Sequence, residues 1–588
     1  MLDLLVKYAH DHGLEAEPGF KPKEVRWAIF CDTDGRFLDV IELGDTSQKR
    51  NPGQTFPKCP EMDRGALQAG GKSHFLVETA DVVALLSEKD DATDKQKKHE
   101  YFVSLLRDAG EVMPQLTHVA NTLSDEASLQ NLRESMERQK VKPTDKVTFK
   151  VGEVYPIESD VWHDWWRSFR KELGGNQPDK KVEAEAALPP MRCFVTGELV
   201  QPIATHLKIE KLADVGGQPS GDALICFDKE AFRSYHLEQS ANAAVSEQSM
   251  SAYRAALNTL LKEKGQRLTG AKVIHWFKGK VPPTDDPLPW LEEGTEQQEL
   301  DAQHRAQKLL QSLRNGERPD LADNYFYALT LSGAAGRVMV RDWMEGQFEE
   351  LLDNISKWFE DFSIVHRDGG TFAHSPKFLA VLGSTVRDLK NLPSPFVTKM
   401  WRVAVCNEPI PQSALAQALG RARVGILQDE PPNHARMGLM KAYHIRKNRG
   451  GDRLSQDLKP YLNEDHPDPA YQCGRLMAML AKLQHAALGD VGAGVVQRYY
   501  AAASSTPSLV LGRLTRTSQF HLNKLEPGLA YWYEGKIANI WSCLGDAIPR
   551  TLSLEEQSLF ALGYYQQIAD LRPKKSDSAD QKKEDNNE

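Results

Sequence analysis

The stretch Gly216-Gly217-Gln218-Pro219-Ser220-Gly221 combines residue types that can hold a ligand. Glycines, having no Cβ, let backbone N–H groups approach a bound group closely. Gln218 and Ser220 add side-chain donors and acceptors suited to base edges or phosphate oxygens. Lys208 and Lys211 lie just upstream and bring positive charge. A plain connection between strands has the same composition, and spacing alone leaves both readings open.

Other strings imitate enzymes without completing them. Gly71-Lys72-Ser73 resembles the end of a phosphate-binding loop, but position 66, where the first glycine belongs, is alanine. An ordinary turn with an exposed lysine is the expectation there. His366-Arg367-Asp368 echoes a kinase catalytic loop, yet position 373 is alanine rather than asparagine and no DFG follows. It reads as a polar turn after a core helix. His163-Asp164 is a bare pair between tryptophans, the one seed of a metal-dependent nuclease, and no further ligand framework accompanies it. Neither HExxH nor GxSxG occurs. Cysteines 31, 59, 193, 226, 406, 473 and 543 form no CxxC, so the usual zinc spacing is absent. Scattered thiols of this kind are expected reduced, as in a cytosol, and mostly as small core residues. No metal or cofactor is expected.

Two basic stretches could meet a phosphate backbone. The first holds Arg436, Lys441, Arg446, Lys447, Arg449, Arg453 and Lys459 against Asp452 and Asp457. The second holds Arg475, Lys482, Arg498, Arg513, Arg516 and Lys524 against Asp490. Beyond Glu526 the sign reverses. Such a bundle can offer one face to a polyanion and stay soluble, although solvated helix faces do the same with no ligand.

These groups need a scaffold, and the chain has ample material for one. Its 588 residues, at roughly 150 per domain, give about four folding units. Hydrophobic content of 40% excludes wholesale disorder, and a net charge of −9 excludes a generic polybasic coat. No apolar run approaches the roughly 18 residues of a membrane span, and Met1-Leu2-Asp3-Leu4-Leu5 lacks the marks of a signal peptide. A soluble, untargeted, cytoplasmic chain with no membrane partner is expected.

Val25, Trp27 and Ile29 alternate with period two, Asp32-Thr33-Asp34-Gly35 turns, and Phe37 to Ile41 returns as a hairpin partner. Further strands are expected at Met191–Val195, Ala223–Phe227 and Lys272–Phe277, and a helix capped by Ser246 carries Tyr253, Ala256, Leu257, Leu260 and Leu261. Beyond about 320 the pattern turns helical. Met344, Phe348, Leu351, Leu352, Ile355, Phe359 and Phe362 define one long buried face. Ser553 and Glu556 make a capping box before the last helix. The expected fold class is α+β, a mixed α/β N-terminal region followed by a C-terminal α-helical bundle. Residues 1–315 form the mixed region, 316–465 a mainly helical middle, 466–572 the bundle, and 573–588 a polar, disordered tail.

Taken together, the strings resemble one family, the large subunit of the type I-C CRISPR Cascade, an RNA-guided surveillance complex. The carriers are Arg192-Cys193-Phe194-Val195-Thr196-Gly197, the Gly216–Gly221 loop, Ser234-Tyr235, Glu238-Gln239-Ser240-Ala241-Asn242-Ala243 and Ala256-Leu257-Asn258. They continue with Leu331-Ser332-Gly333, Val340-Arg341-Asp342-Trp343, Gly474-Arg475-Leu476, Arg498-Tyr499-Tyr500 and Leu562-Gly563-Tyr564-Tyr565-Gln566-Gln567. Ala334 stands where asparagine is expected, and His236 where glycine is expected.

The resemblance implies a DNA-recognition subunit without catalytic residues. It implies contact with the protospacer-adjacent motif of duplex DNA, help in opening the strands, and a C-terminal bundle along the displaced strand. Guide pairing then reads most of the sequence, the division of labour known for RNA-guided effectors. Implied partners are the CRISPR RNA-bearing complex with its backbone, 5′-handle-binding and small subunits, the target duplex, and a helicase-nuclease recruited after R-loop formation. Under this reading Lys208, Lys211, Gly216, Gly217, Gln218, Ser220 and Asn242 face the motif or its flanking phosphates. Arg446, Lys447, Arg449, Arg475, Lys482, Arg498, Arg513 and Arg516 face the phosphate backbone. The resemblance also implies that the bundle is made separately from an internal start, for which Met477, Met479 and Val491 are candidates. The rival readings are a metal-dependent nuclease built on His163 and Asp164, and a purely structural scaffold.

Overall fold

Trp27–Cys31 is the centre of the first sheet, because alternate residues of this apolar strand must be covered on both faces. The computed structural model pairs it antiparallel with Phe37–Glu42, as the hairpin pattern predicts, and parallel with Lys146–Val151, which Glu78–Thr79 flanks in turn. The turn between the first two strands is fixed by the Asp32 carboxylate, which accepts the N–H groups of Asp34 and Arg36. Parallel neighbours need a long crossover. Helices Ala92–Ala109, Pro114–Ser124 and Glu126–Arg138 lie within that connection and bury Phe102, Leu106, Leu116 and Leu132 in the same core as Ile29 and Phe149. Trp162 and Trp166 join it, the latter at the start of helix His163–Gly175, donating its indole N–H to the Gly19 carbonyl.

The structure describes the chain except residues 15–16, 46–50, 63–66, 68–69, 87–91, 176–189, 201–204, 228, 234–236, 238, 293–295, 448–457 and 573–588. The expected tail, most of the expected 174–185 linker and Arg449 lie outside the described residues. The rest divides into two units: 1–209 with 223–259, and 210–222 with 260–588. The boundaries expected at 315/316 and 465/466 both fall inside the second unit. One core runs across them, from Leu268 and Val273 through Phe348 and Trp401 to Tyr471 and Phe560.

That second unit begins with antiparallel strands. Gln266–Leu268, Ala271–Phe277, Tyr325–Ala334 and Arg337–Gln347 follow one another in one sheet. The hairpin 325–347 departs from the helical pattern expected after 320. Met344 belongs to its second strand, and only from Phe348 does the helix Phe348–Phe362 begin. Met191–Val195 and Ala223–Phe227 are likewise reduced to the two-residue strands Met191–Arg192 and Asp222–Ala223.

The C-terminal helices are Pro469–Leu488, Val495–Ala503, Pro507–Leu522, Pro527–Leu544 and Leu554–Asp570. Ser553 and Glu556 cap the last one reciprocally, as their spacing predicts. It crosses Pro469–Leu488 backbone to backbone. A Cβ on Gly474 would lie 2.0 Å from the Phe560 carbonyl oxygen, and one on Gly563 would lie 2.1 Å from that of Tyr471. Any side chain at either position would force the two helices apart.

Candidate nucleic-acid interface

The glycine loop lies in the segment 210–222 of the second unit and is a clamped turn. Leu212 and Val215 are buried beneath it, and Gly216 takes a left-handed φ of 89°. The Gly217 N–H donates to the Leu212 carbonyl at 2.9 Å, and the Gly221 N–H to that of Gln218 at 2.9 Å. Asp222, fully buried, accepts the Gln218 N–H at 3.1 and 3.2 Å through its two oxygens. Lys272 ties down the near end, donating to the Lys211 carbonyl at 2.7 Å and pairing with Asp214 at 2.8 Å. Burial opposes ionisation of Asp214, but the Lys272 ammonium outweighs it and holds the carboxyl below its usual pKa.

The loop rests on the hairpin 325–347. A Cβ on Gly333 would fall 2.1 Å from the Gly217 Cα, so the strand and loop backbones touch. The hairpin turn, Ala335 (φ 49°) and Gly336 (φ 87°), lies beside the Gln218 amide, 3.5 Å from where a Gly336 Cβ would stand. Arg341 reaches back along the hairpin, its Nε donating to Ser332 Oγ at 2.8 Å. Gln218, Ser220 and Lys211 are exposed on this platform. The N–H groups of Gly217, Gln218 and Gly221 are thus engaged in holding the loop's own shape, while Gln218 and Ser220 stand exposed on it.

Lys208 and Asn242 belong to the first unit. Lys208 is half-buried in the strand Lys208–Ile209, and the Asn242 amide nitrogen donates to the carbonyls of Leu237 and Gln239, closing its own turn. Asp222, Gly333 and Lys272 were not singled out for the site by sequence reasoning. The one readable trace was Gly333 itself, since a glycine inside a strand marks a close approach of backbone.

The two basic stretches separate sharply. Arg446 is 3% exposed, and its Nε donates to Asp361 at 2.7 Å beneath the Trp358 ring. Arg475 is 2% exposed and donates to Gln567, Gln472 and the Glu464 carbonyl. Both guanidiniums are enclosed and engaged, which removes them from the expected phosphate contacts. Lys447 reaches the surface but pairs with Glu555 at 2.5 Å. Lys482 is half-buried, its pKa lowered by burial and by the Arg572 charge. Arg498, Arg513 and Arg516 are exposed.

His163 and Asp164 do not converge on a metal. The His163 ring is buried edge-on against Phe20 and Trp162, whereas Asp164 lies at the surface beside Arg167. Among the described residues no group of three or more His, Cys, Asp and Glu could hold a metal ion. Asp368 of the kinase-like string pairs with Arg572 at 2.7 Å, in the polar turn expected after a core helix. All seven cysteines are free thiols, and none of the described helices is long and apolar enough to cross a membrane.

The glycine turn stands on the hairpin 325–347, and Arg513 and Arg516 lie exposed on one helix. Residues 5–572 match the family described as CRISPR-associated protein (Cas_Csd1), and the chain belongs to that family, the type I-C large subunits that its strings resemble. No curated protein matches it.

Proposed function

We propose that the chain is the non-catalytic large subunit of a type I-C RNA-guided complex, and that its glycine loop contacts the protospacer-adjacent motif in duplex DNA. The observation that carries this reading is the clamp on Gly216–Gly221. A turn whose backbone is fixed by Asp222, Leu212 and Gly333 presents Gln218 and Ser220 with little entropy left to lose on binding. Such a narrow turn enters a groove that a helix cannot. Next to it, the hairpin turn Ala335–Gly336 offers an edge for helping to open the duplex. The C-terminal bundle then lies along the displaced strand, with Arg498, Arg513 and Arg516 toward its phosphates.

Partners in this reading are the RNA-bearing complex, the target duplex and a separate helicase-nuclease that does the cutting. The test is the RNA complex assembled with the full-length chain and a labelled, motif-bearing duplex, titrated with magnesium or manganese. Motif-dependent, salt-sensitive binding with no cleavage at any metal concentration is expected. Metal-dependent cleavage by the chain would establish the nuclease instead, and binding indifferent to both motif and salt would establish a scaffold.

A further inference from the structure

We infer that Lys21, Lys23 and Lys146 of the first unit form a pocket for a phosphate monoester, the group carried by a mononucleotide or by a phosphorylated nucleic-acid end. Neither the glycine loop nor the bundle takes part in it.

The strand Phe20–Val25 pairs antiparallel with Gln54–Pro60 and also lies against Lys146–Val151. Between Lys21 and Lys23 the register slips. Lys21 stands opposite Cys59 and Lys23 opposite Phe56, so the extra residue belongs to the partner strand. Lys21, Lys23 and Val25 therefore share one face of their own strand. That face is covered, Val25 being fully buried and Lys23 only 8% exposed. A lysine in such a place needs partners. The Lys23 ammonium donates to the Pro60 carbonyl at 3.1 Å and pairs with Glu61 at 3.0 Å. Burial opposes ionisation of Glu61, but Lys23 outweighs it and holds the carboxyl down to about 2.

Lys146 adds a third ammonium. Burial lowers its pKa, and the charges of Lys23 and Lys21 lower it further, so the three cations crowd one another. Among the described residues no carboxylate or carbonyl pairs with Lys146. The neighbouring acids are engaged elsewhere. Glu78 accepts the backbone N–H groups of His74 and Thr79, and Asp145 accepts the Trp27 indole N–H and the Lys142 backbone N–H. His74 accepts the Met62 N–H through Nδ1, and burial above all lowers its pKa, so its imidazole brings no charge.

Three ammonium groups against the single Glu61 carboxylate leave an excess of two positive charges. That excess repels metal ions and selects among anions. A carboxylate ligand carries one negative charge, and so does an internal phosphodiester, whereas a phosphate monoester carries close to two at neutral pH. Lysines act as point charges without the planar fork that matches a carboxylate, and so suit the terminal oxygens of a phosphoryl group.

The experiment titrates the full-length chain with AMP, adenosine, inorganic phosphate, and one oligonucleotide carrying either a 5′-phosphate or a 5′-hydroxyl. AMP is expected to bind where adenosine does not. Lys21→Met and Lys146→Met should each weaken AMP binding about tenfold, one charge-assisted contact's worth, and Lys146→Arg should keep most of it. Because Lys146 has no partner in the ligand-free chain, Lys146→Met should leave the thermal midpoint unchanged or raise it. If the oligonucleotide gains affinity from its 5′-phosphate, and the gain disappears in Lys146→Met, the pocket takes strand ends. Binding of AMP or inorganic phosphate without that gain assigns it to a small molecule. If no arm binds through its phosphate, or if both methionine variants bind as the wild type does, the pocket is overturned. A midpoint that falls in ligand-free Lys146→Met shows the lysine to be structural and overturns it likewise.

Discussion

Helices His434–Lys447 and Pro507–Leu522 are both basic in sequence, and the protein puts their cations on opposite sides. In the first, Arg436, Lys441 and Arg446 are buried together with Met437, Leu439, Met440 and Tyr443. Apolar residues surround this helix, so every direction leads into a neighbour, and each cation must find a partner there. Arg436 takes the Ser384 carbonyl, Arg446 takes Asp361, and burial pushes the Lys441 ammonium down to about 8. In the second helix burial is confined to one stripe, and the arginines have water on the other. The width of the buried face decides which way a basic residue points, and a count of charges does not register it.

That contrast is most strongly tested by breaking the buried side. Arg446→Met leaves Asp361 enclosed without its ion pair and should cost about 3–5 kcal/mol in urea unfolding, whereas Arg513→Met should stay within about 0.5 kcal/mol. Comparable small losses for both would show that burial of the first stretch is not what holds its cations.

Next in size is the loop. Gly333→Ala drives a methyl group into the Gly217 backbone and should lower the preference for a motif-bearing over a motif-scrambled duplex by about tenfold or more, one base contact's worth of discrimination. Undiminished preference would detach the hairpin from motif contact. A smaller effect is expected at the outward face. Removing the charge of Arg498, Arg513 or Arg516 should reduce the log–log salt slope of target binding by about one unit each, with motif preference intact.

The smallest effect concerns His444, which burial, above all, pushes down to about 4. An unfolded histidine titrates near 6.5, so between these values the unfolded chain binds the extra proton. The contribution of neutral His444 is complete above about 6.5 and is lost as pH falls toward 4. His444→Gln should therefore flatten the decline of Tm between about pH 7 and pH 5. An unaltered decline would assign the acid sensitivity to other groups.

Much of this architecture was legible where a single period dominates. The Trp27–Cys31 hairpin and the Ser553 capping box stand where their patterns put them. The hairpin 325–347 was not read, because its first strand is buried at nearly every position and shows no alternation. The continuous core across 465/466 was equally hidden, since no local pattern reports that Tyr471 and Gln566 meet. At the site, the glycine loop was visible as composition, while its clamp was not. Asp222 and Gly333 act through contacts with residues brought together only by the fold.

The central claim is that the loop contacts the motif while the bundle holds the backbone. It is tested most directly by measuring, in one assembled complex, target affinity against salt for motif-bearing and motif-scrambled duplexes. The two proteins to compare are Gln218→Ala with Ser220→Ala, and Arg513→Gln with Arg516→Gln. The loop variant should lose the preference for the motif at an unchanged salt slope, and the bundle variant should lose slope at an unchanged preference. If both variants shift the same quantity, or if the loop variant keeps its full preference, the division between reading and holding is contradicted.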